Sequence, residues 1–318
     1  MRTHSICVLG GTGFIGSWLV SRLARDGHRI RVLTRRRERH RELLVLPTVE
    51  VIDADVHDPA QLNRHFEGRD AVINLVGILN EKGDNGQGFR RAHVELAQKV
   101  VDACRATGVR RLLHMSALHA DAKAGPSHYL RTKGEAEDLV HGAARDDFHV
   151  TSFRPSVVFG RGDSFLNRFA ELLRMTPGVF PLACPQARFA PVYVADVAEA
   201  YTRALADPKT YGQRYDLCGP HDYSLRELVA YTASLIGVRR AIVPLPPSLS
   251  RLQAAVLEHV PGKPFSRDNL RSMQIDSVCE GPFPPVFGIK PATLEAEAPE
   301  YLAPRNQRAR LARFRRGF

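Results

Sequence analysis

No stretch of this chain is apolar for long enough to cross a bilayer. The most hydrophobic one, 71–79, is nine residues long, against the roughly 20 that a spanning helix needs. Cysteine is scarce as well. The five (7, 104, 184, 218 and 279) stand far apart, with no C-x-x-C pair and an odd total. That spacing excludes a disulfide-framework miniprotein and supplies no zinc-ligand pair. No metal site is expected, and the five read as structural thiols of a reducing compartment. A strand-like run starting at Ile6 leaves no room for a secretory or transit peptide, so a cytoplasmic location is expected. What remains is ordinary globular composition, 44% hydrophobic and 25% charged over 318 residues. This is enough for one large α/β domain or a domain plus a lobe.

Acidic groups are in deficit, and where they are missing matters more than the total. The net charge is +11. Residues 29–42 carry seven Arg against Glu38 and Glu42, and 303–318 carry six Arg and no acid. These two patches hold the whole excess. No long basic stripe for a duplex exists, and no nucleic-acid partner is expected.

The first half alternates short apolar runs with amphipathic segments. The pattern predicts strands at 5–9, 29–34, 49–53, 71–76, 110–115 and 148–153, with helices at 14–26, 58–66, 89–107 and 127–145. Ser127 suits the cap of the last helix and Gly108 the end of the third. Such alternation predicts a parallel sheet covered on both faces. After Arg154-Pro155 the order changes to helices at 164–175, 195–207, 224–236, 247–260 and 266–275, with short strands at 189–194 and 241–245. The expected organisation is a nucleotide-binding domain over 1–155, a small mixed lobe over 156–303 that is free to interleave with it, and a basic tail over 304–318.

Gly10-Gly11-Thr12-Gly13-Phe14-Ile15-Gly16 follows the first strand and opens the first helix. Gly10, Gly13 and Gly16 permit a tight turn, close approach of a pyrophosphate and close helix–strand packing, and the N–H groups at the helix start receive the phosphate charge. In that position the motif predicts a dinucleotide site. Selectivity should be set at the end of the second strand. There an NAD site usually carries an acid for the ribose 2′-OH, and this chain has Thr34-Arg35-Arg36-Arg37. Arg35, then Arg36, is expected to pair with a 2′-phosphate. NADP(H) is therefore preferred and NAD(H) remains possible; the alternative is a solvated arginine loop. Asp55-Val56 at the third strand's end falls where an adenine would lie. Asn74-Leu75-Val76-Gly77 at the fourth falls near the nicotinamide ribose.

Tyr129 and Lys133 are spaced i, i+4, which places both on one helix face. A nearby ammonium favours the phenolate, so Tyr129 is the expected general acid/base.

Together with Arg154-Pro155-Ser156-Val157-Val158-Phe159-Gly160 and Val192-Tyr193-Val194-Ala195-Asp196-Val197-Ala198, these motifs resemble the extended short-chain dehydrogenases/reductases. The stretches 129–137, 154–167 and 189–200 are most similar to an atypical subgroup. That subgroup includes the NAD(P)H-binding accessory subunit of mitochondrial complex I and bacterial epimerase/dehydratase-like proteins. The resemblance covers about 4–303 and implies an α/β Rossmann-type, doubly wound parallel sheet with a smaller C-terminal substrate lobe. It assigns Tyr129 as acid/base, Lys133 as its partner and ribose ligand, and Ser116 as third catalytic residue. The resemblance further implies that Thr12, Phe14 and Ile15 contact phosphates through their backbone and that Pro155 and Ser156 lie beside the nicotinamide. The family's Ser/Thr also aligns with Ala117, and His93 stands where many relatives have Asn.

Three functions fit: an enzyme reducing, oxidising or epimerising a small substrate through Tyr129, a cofactor-binding accessory or assembly subunit within a protein complex, and a cofactor-sensing regulator. The substrate is unknown. Asn167, Arg168 and Arg188 are candidate polar contacts for a sugar nucleotide. The apolar face of Phe165, Leu166, Phe169, Leu172 and Leu173 reads as core or as a seat for a quinone or lipid-like molecule. In the tail, Arg alternates with Leu311, Phe314 and Phe318. This suggests either a solvated terminus or peripheral contact with an anionic membrane.

Overall fold

The computed structural model describes residues 3–303; the tail read above as a membrane contact lies outside them. Seven strands form one parallel sheet. They are β1 Ser5–Leu9, β2 Arg29–Thr34, β3 Val49–Asp53, β4 Ala71–Asn74, β5 Arg111–Met115, β6 His149–Pro155 and β7 Arg214–Leu217, in the order β7-β6-β5-β4-β1-β2-β3. The register sets Ile6 beside both Ile30 and Ala71, and Leu112 beside Val150. These central strands are apolar on both faces because helices cover both.

Local chemistry sets the helix ends. In α1 (Phe14–Arg25) the cap is Gly13, with no side-chain hydrogen bond. Asp58 caps α2 (Pro59–Phe66), with Pro59 in the first turn. The helix α3 (Leu96–Thr107) stops at Gly108, whose φ is +71°. Ser127 caps α4 (His128–Gly142) by accepting from Leu130 N–H. The helix expected over 89–107 is broken. A short helix Gln87–Arg90 passes through a π-helical turn, Arg91–Glu95, before α3 begins. A π turn inserts an extra residue, which apolar periodicity does not register.

The first core layer packs α1 and α6 (Val194–Ala204) against one sheet face, and Arg22 of α1 meets Glu199 of α6 at 2.7 Å. The second packs α2, α3 and α4 against the other face. Because α6 and β7 belong to the large unit, the chain returns to the sheet after residue 156 and then leaves it again. The third core is the lobe, built on α5 (Leu166–Met175), α7 (Leu225–Leu235) and a two-stranded sheet of Val179–Leu182 with Ala241–Pro244. It also carries α8 (Pro247–Leu257) and α9 (Arg267–Ser272).

One expectation is corrected. Cys218, just past β7, and Cys279, on the returning chain, form a disulfide with a Cα–Cα distance of 6.0 Å. Cys7, Cys104 and Cys184 are free. The pair is 61 residues apart in sequence, so no local spacing signals it.

Candidate functional site

The glycine loop is built by exclusion of side chains. A Cβ on Gly16 would lie 2.2 Å from Gly10 O and 2.6 Å from Gly11 Cα; one on Gly10, at φ +76°, would lie 3.0 Å from Leu75 C. The turn is closed by Gly13 N–H donating to Gly10 O at 3.0 Å. Gly13 is exposed and Thr12, Phe14 and Ile15 are half-buried. The first-turn N–H groups of α1 therefore face an open cradle with no side-chain cap, which is what a pyrophosphate requires. Gly11 was not singled out in the sequence, yet a Cβ there would sit 2.9 Å from Val32 Cγ1. It lets α1 close on β2.

At the end of β2, Arg35, Arg36 and Arg37 are exposed. Arg37 N–H donates to Asp53 Oδ1 at 2.7 Å, which orders the loop against the end of β3. Asp55 is exposed and accepts from His57 N–H, while Val56 packs on the second core.

The fourth and fifth strand ends meet α4. Lys133 is buried, and its Nζ donates to Met115 O at 3.0 Å. Gly77 lies directly above it, where an added Cβ would be 3.1 Å from Nζ and 3.6 Å from His93 Nε2. Burial lowers the Lys133 ammonium from its usual range to about 8, partly opposed by Glu137. Tyr129 is half-buried, and its ring meets Phe89 and His93 edge-on at 6.0 and 5.6 Å. Its hydroxyl has no hydrogen-bond partner among the described residues, and burial pushes the phenol up to about 12. The expected lowering by Lys133 is absent, since that ammonium is turned to Met115.

His93 accepts from Ile78 N–H at Nε2 (3.3 Å) and faces Thr132 Oγ1 across Nδ1 at 2.9 Å. Burial, then Lys133, keeps it well below its usual pKa. It is a neutral imidazole bracing the chain beside Gly77.

Ser116 and Ser156 are committed elsewhere. Ser116 Oγ donates to Glu137 Oε2 at 3.0 Å, and that buried carboxylate is held by Arg154 Nε at 2.8 and 2.9 Å. Burial raises the Glu137 pKa against the pull of Arg154. Glu137 extends the face of Tyr129 and Lys133 by one more i+4 step, a signal that could have been read. Ser156 Oγ donates to Ser277 O at 2.6 Å, and Leu118 N–H donates to Pro155 O. Among the lobe candidates, Asn167 bonds to Asp163, Arg168 to Gly262 O and Arg188 to Asp222.

Asp268, on α9, had no local signal. Its buried carboxylate accepts His128 N–H at 2.8 Å and Tyr129 N–H at 3.1 Å, so the lobe caps the helix that carries Tyr129. Arg271 joins Asp268 to Asp84. Asp84, His128 and Asp268 could together present ligand atoms to an ion. Here, however, Arg271 and Arg267 supply the positive charge. Replacing Asp268 by Ala strands two N–H donors and is expected to cost about 1–3 kcal/mol of stability. Urea unfolding tests this, and an unchanged midpoint would show that the cap carries no weight.

A glycine cradle at the start of α1 on a parallel sheet whose order reverses beside β1 defines a Rossmann-type dinucleotide-binding protein. The residues fit such a cofactor: the backbone of 12–16 for its phosphates, Gly77 and Lys133 for the far ribose. Comparison with known proteins narrows the class. The model of the NAD dependent epimerase/dehydratase family matches residues 6–218, and the chain belongs to that family of extended short-chain dehydrogenases/reductases.

It is 28% identical over 309 residues to mouse NADH dehydrogenase [ubiquinone] 1 alpha subcomplex subunit 9, mitochondrial. That match covers 93% of this chain and 78% of the subunit. It is 30% identical over 244 residues to the ceramide reductase of Caulobacter vibrioides, covering 76% and 73%. The fold matches dTDP-glucose 4,6-dehydratase DesIV of Streptomyces venezuelae, solved with NAD and TYD bound. The TM-score is 0.74 at 18% identity, over 94% of this chain and 95% of that one. Among the described residues no helix is long and apolar enough to cross a membrane.

Proposed function

We propose that the chain is an NAD(P)H-dependent oxidoreductase or epimerase in which Tyr129 exchanges a proton with the oxygen of a carbonyl or carbinol substrate. The supporting observation is the convergence of Tyr129, Lys133 and Gly77 at the strand ends, beside the glycine cradle. The bound nicotinamide supplies the hydride chemistry. The chain's own part is to hold phosphates on the N–H groups of 12–16, to place Lys133 Nζ at the ribose, and to offer the Tyr129 hydroxyl. Ser116 is assigned a positioning role through Glu137. The similarity to a ceramide reductase favours a lipid-like substrate, and the sugar-nucleotide class is the other candidate. Screening both classes with NADPH and NADH by nicotinamide absorbance, and with NADP+ and NAD+ by separation of epimeric products, since epimerisation leaves no net change in the nicotinamide, tests the proposal. No turnover with either class would count against it.

A second reading, a non-catalytic cofactor-binding subunit of a protein complex, is supported by the commitment of Ser116 to Glu137 and of Ser156 to Ser277. The mouse subunit's similarity over nearly the whole chain adds to it. On this reading a mitochondrial or membrane-associated setting replaces the cytoplasm, and peripheral contact through the arginine tail fits the same setting. A Tyr129→Phe chain that still complements a deletion strain would select this reading.

NADP(H) preference is assigned to Arg35, with Arg36 second. Arg35→Asp is expected to weaken NADPH at least tenfold relative to NADH, measured by quenching of Trp18, which lies on α1. An unchanged ratio would remove the assignment.

A further inference from the structure

The lobe carries an apolar surface that none of the chemistry above uses. In its two-stranded sheet, Phe180 and Leu182 point into the lobe core. The alternate residues pair across the strands, Val179 with Ala241 and Pro181 with Val243. All four are exposed, Val179 at 54% and Val243 at 43%. This leaves the outer face of the sheet entirely apolar.

The helix α8 continues it. Ser250 and Ala254 face inward. On the opposite side Leu249, Leu252 and Val256 stand 47%, 59% and 56% exposed, at i, i+3 and i+7, which is one helical stripe. Helix and sheet are joined by Gln253 Nε2 donating to Pro181 O at 3.1 Å, and by Ser250 Oγ donating to Leu245 O. Apolar surface of this extent on two adjoining elements marks an interaction site.

Charge identifies the occupant. The segments that build this surface, 174–183 and 239–257, contain Arg174, Arg239, Arg240 and Arg251 and no Asp or Glu. The rest of the chain outside the two basic patches is formally near neutral, so this all-cationic border is local. Arg251 is exposed on α8, about 100° round the helix from Leu252 and so at the side of the apolar stripe. Exposed apolar side chains on segments whose only charged residues are arginines match the chemistry of an anionic bilayer surface, where acyl chains receive the former and headgroup phosphates the latter.

We infer that the face formed by α8 and the outer side of the two-stranded sheet rests on anionic membrane, holding the lobe at the lipid surface. This docking stands independently of the Tyr129 chemistry and of the tail.

The test is flotation of the full-length protein with phosphatidylcholine/phosphatidylglycerol vesicles and with phosphatidylcholine alone. Binding to the anionic vesicles, weakened by salt, is expected. It should fall about tenfold or more in a Leu252→Glu/Val256→Glu double variant, whose cofactor binding and melting temperature match the wild type because both side chains are exposed. A full-length variant with all six tail arginines changed to Gln should keep binding above that of the double variant. Equal flotation of wild type and double variant would overturn the inference and transfer the contact to the tail. So would no flotation at all. If instead the wild type self-associates and the double variant does not, without vesicle binding, the face is an interface between copies of this chain.

Discussion

Tyr129→Phe is expected to lower turnover by roughly 10²–10⁴-fold, the range for removing a general acid/base, while leaving NAD(P)H affinity unchanged. The substitution removes only the hydroxyl, which bonds to no described residue. The ring keeps its edge-on contacts with Phe89 and His93, so the fold should be unaffected. With its phenol at about 12, Tyr129 is protonated at ordinary pH and suited to donate a proton to a carbonyl being reduced. Lys133, at about 8, is an ammonium below that pH and an amine above it. Because the role proposed for Lys133 is to hold the ribose, cofactor affinity, and reduction with it, should be greatest below pH 8 and decline as pH rises through it. Wild-type rates in the Phe variant, with any substrate that turns over, would remove Tyr129 from the chemistry.

Gly16→Ala should be the most damaging single methyl in the cofactor site. Its Cβ would lie 2.2 Å from Gly10 O and 2.6 Å from Gly11 Cα, both backbone atoms that no rotamer change relieves. The helix must move off the loop, at a cost of about 1–3 kcal/mol for overpacking, and its first N–H groups move with it. Loss of cofactor binding together with a lowered melting temperature is expected. Gly13→Ala is the control. Its Cβ would meet only Gly10 O, at 3.3 Å, so stability should hold while the methyl intrudes on the phosphate cradle. Calorimetric titration of both variants with NADPH separates the effects. Wild-type affinity in Gly16→Ala would mean that the loop is only a structural turn.

The large unit was legible because its signals are local. Apolar runs located β1 to β6, and glycines, Ser127 and Gly108 placed the turns and helix ends where the structure has them. The expected family and fold also hold. What failed to show depends on distance. The strand β7 is only Arg-Tyr-Asp-Leu, too short to stand out, and owes its place to pairing with β6. A spacing of i, i+4 put Tyr129 and Lys133 on one face but said nothing of side-chain torsions. In the structure those take Lys133 Nζ to Met115 O and leave the phenol unassisted. Ser116 follows the same rule. Its position at a strand end was readable, its bond to Glu137 was not. Asp268 and the cysteine pair act across long stretches of chain, and no window of sequence contains both partners.

The disulfide gives the chain an unusual connectivity. Cys218 and Cys279 enclose α7, α8 and α9 in a covalent ring, since all three lie between residues 218 and 279. Closing a loop of that size removes about 4 kcal/mol of disorder from the unfolded chain. It also changes what a cut means. A protease that nicks the Pro-rich turn at 244–247 would leave two pieces still tied together, one holding the sheet and the other α8 and the Asp268 cap. Only after reduction could they part. The oxidised molecule is thus a lasso whose knot sits beside Ser156, and cleavage within the loop need not release the segment that braces Tyr129.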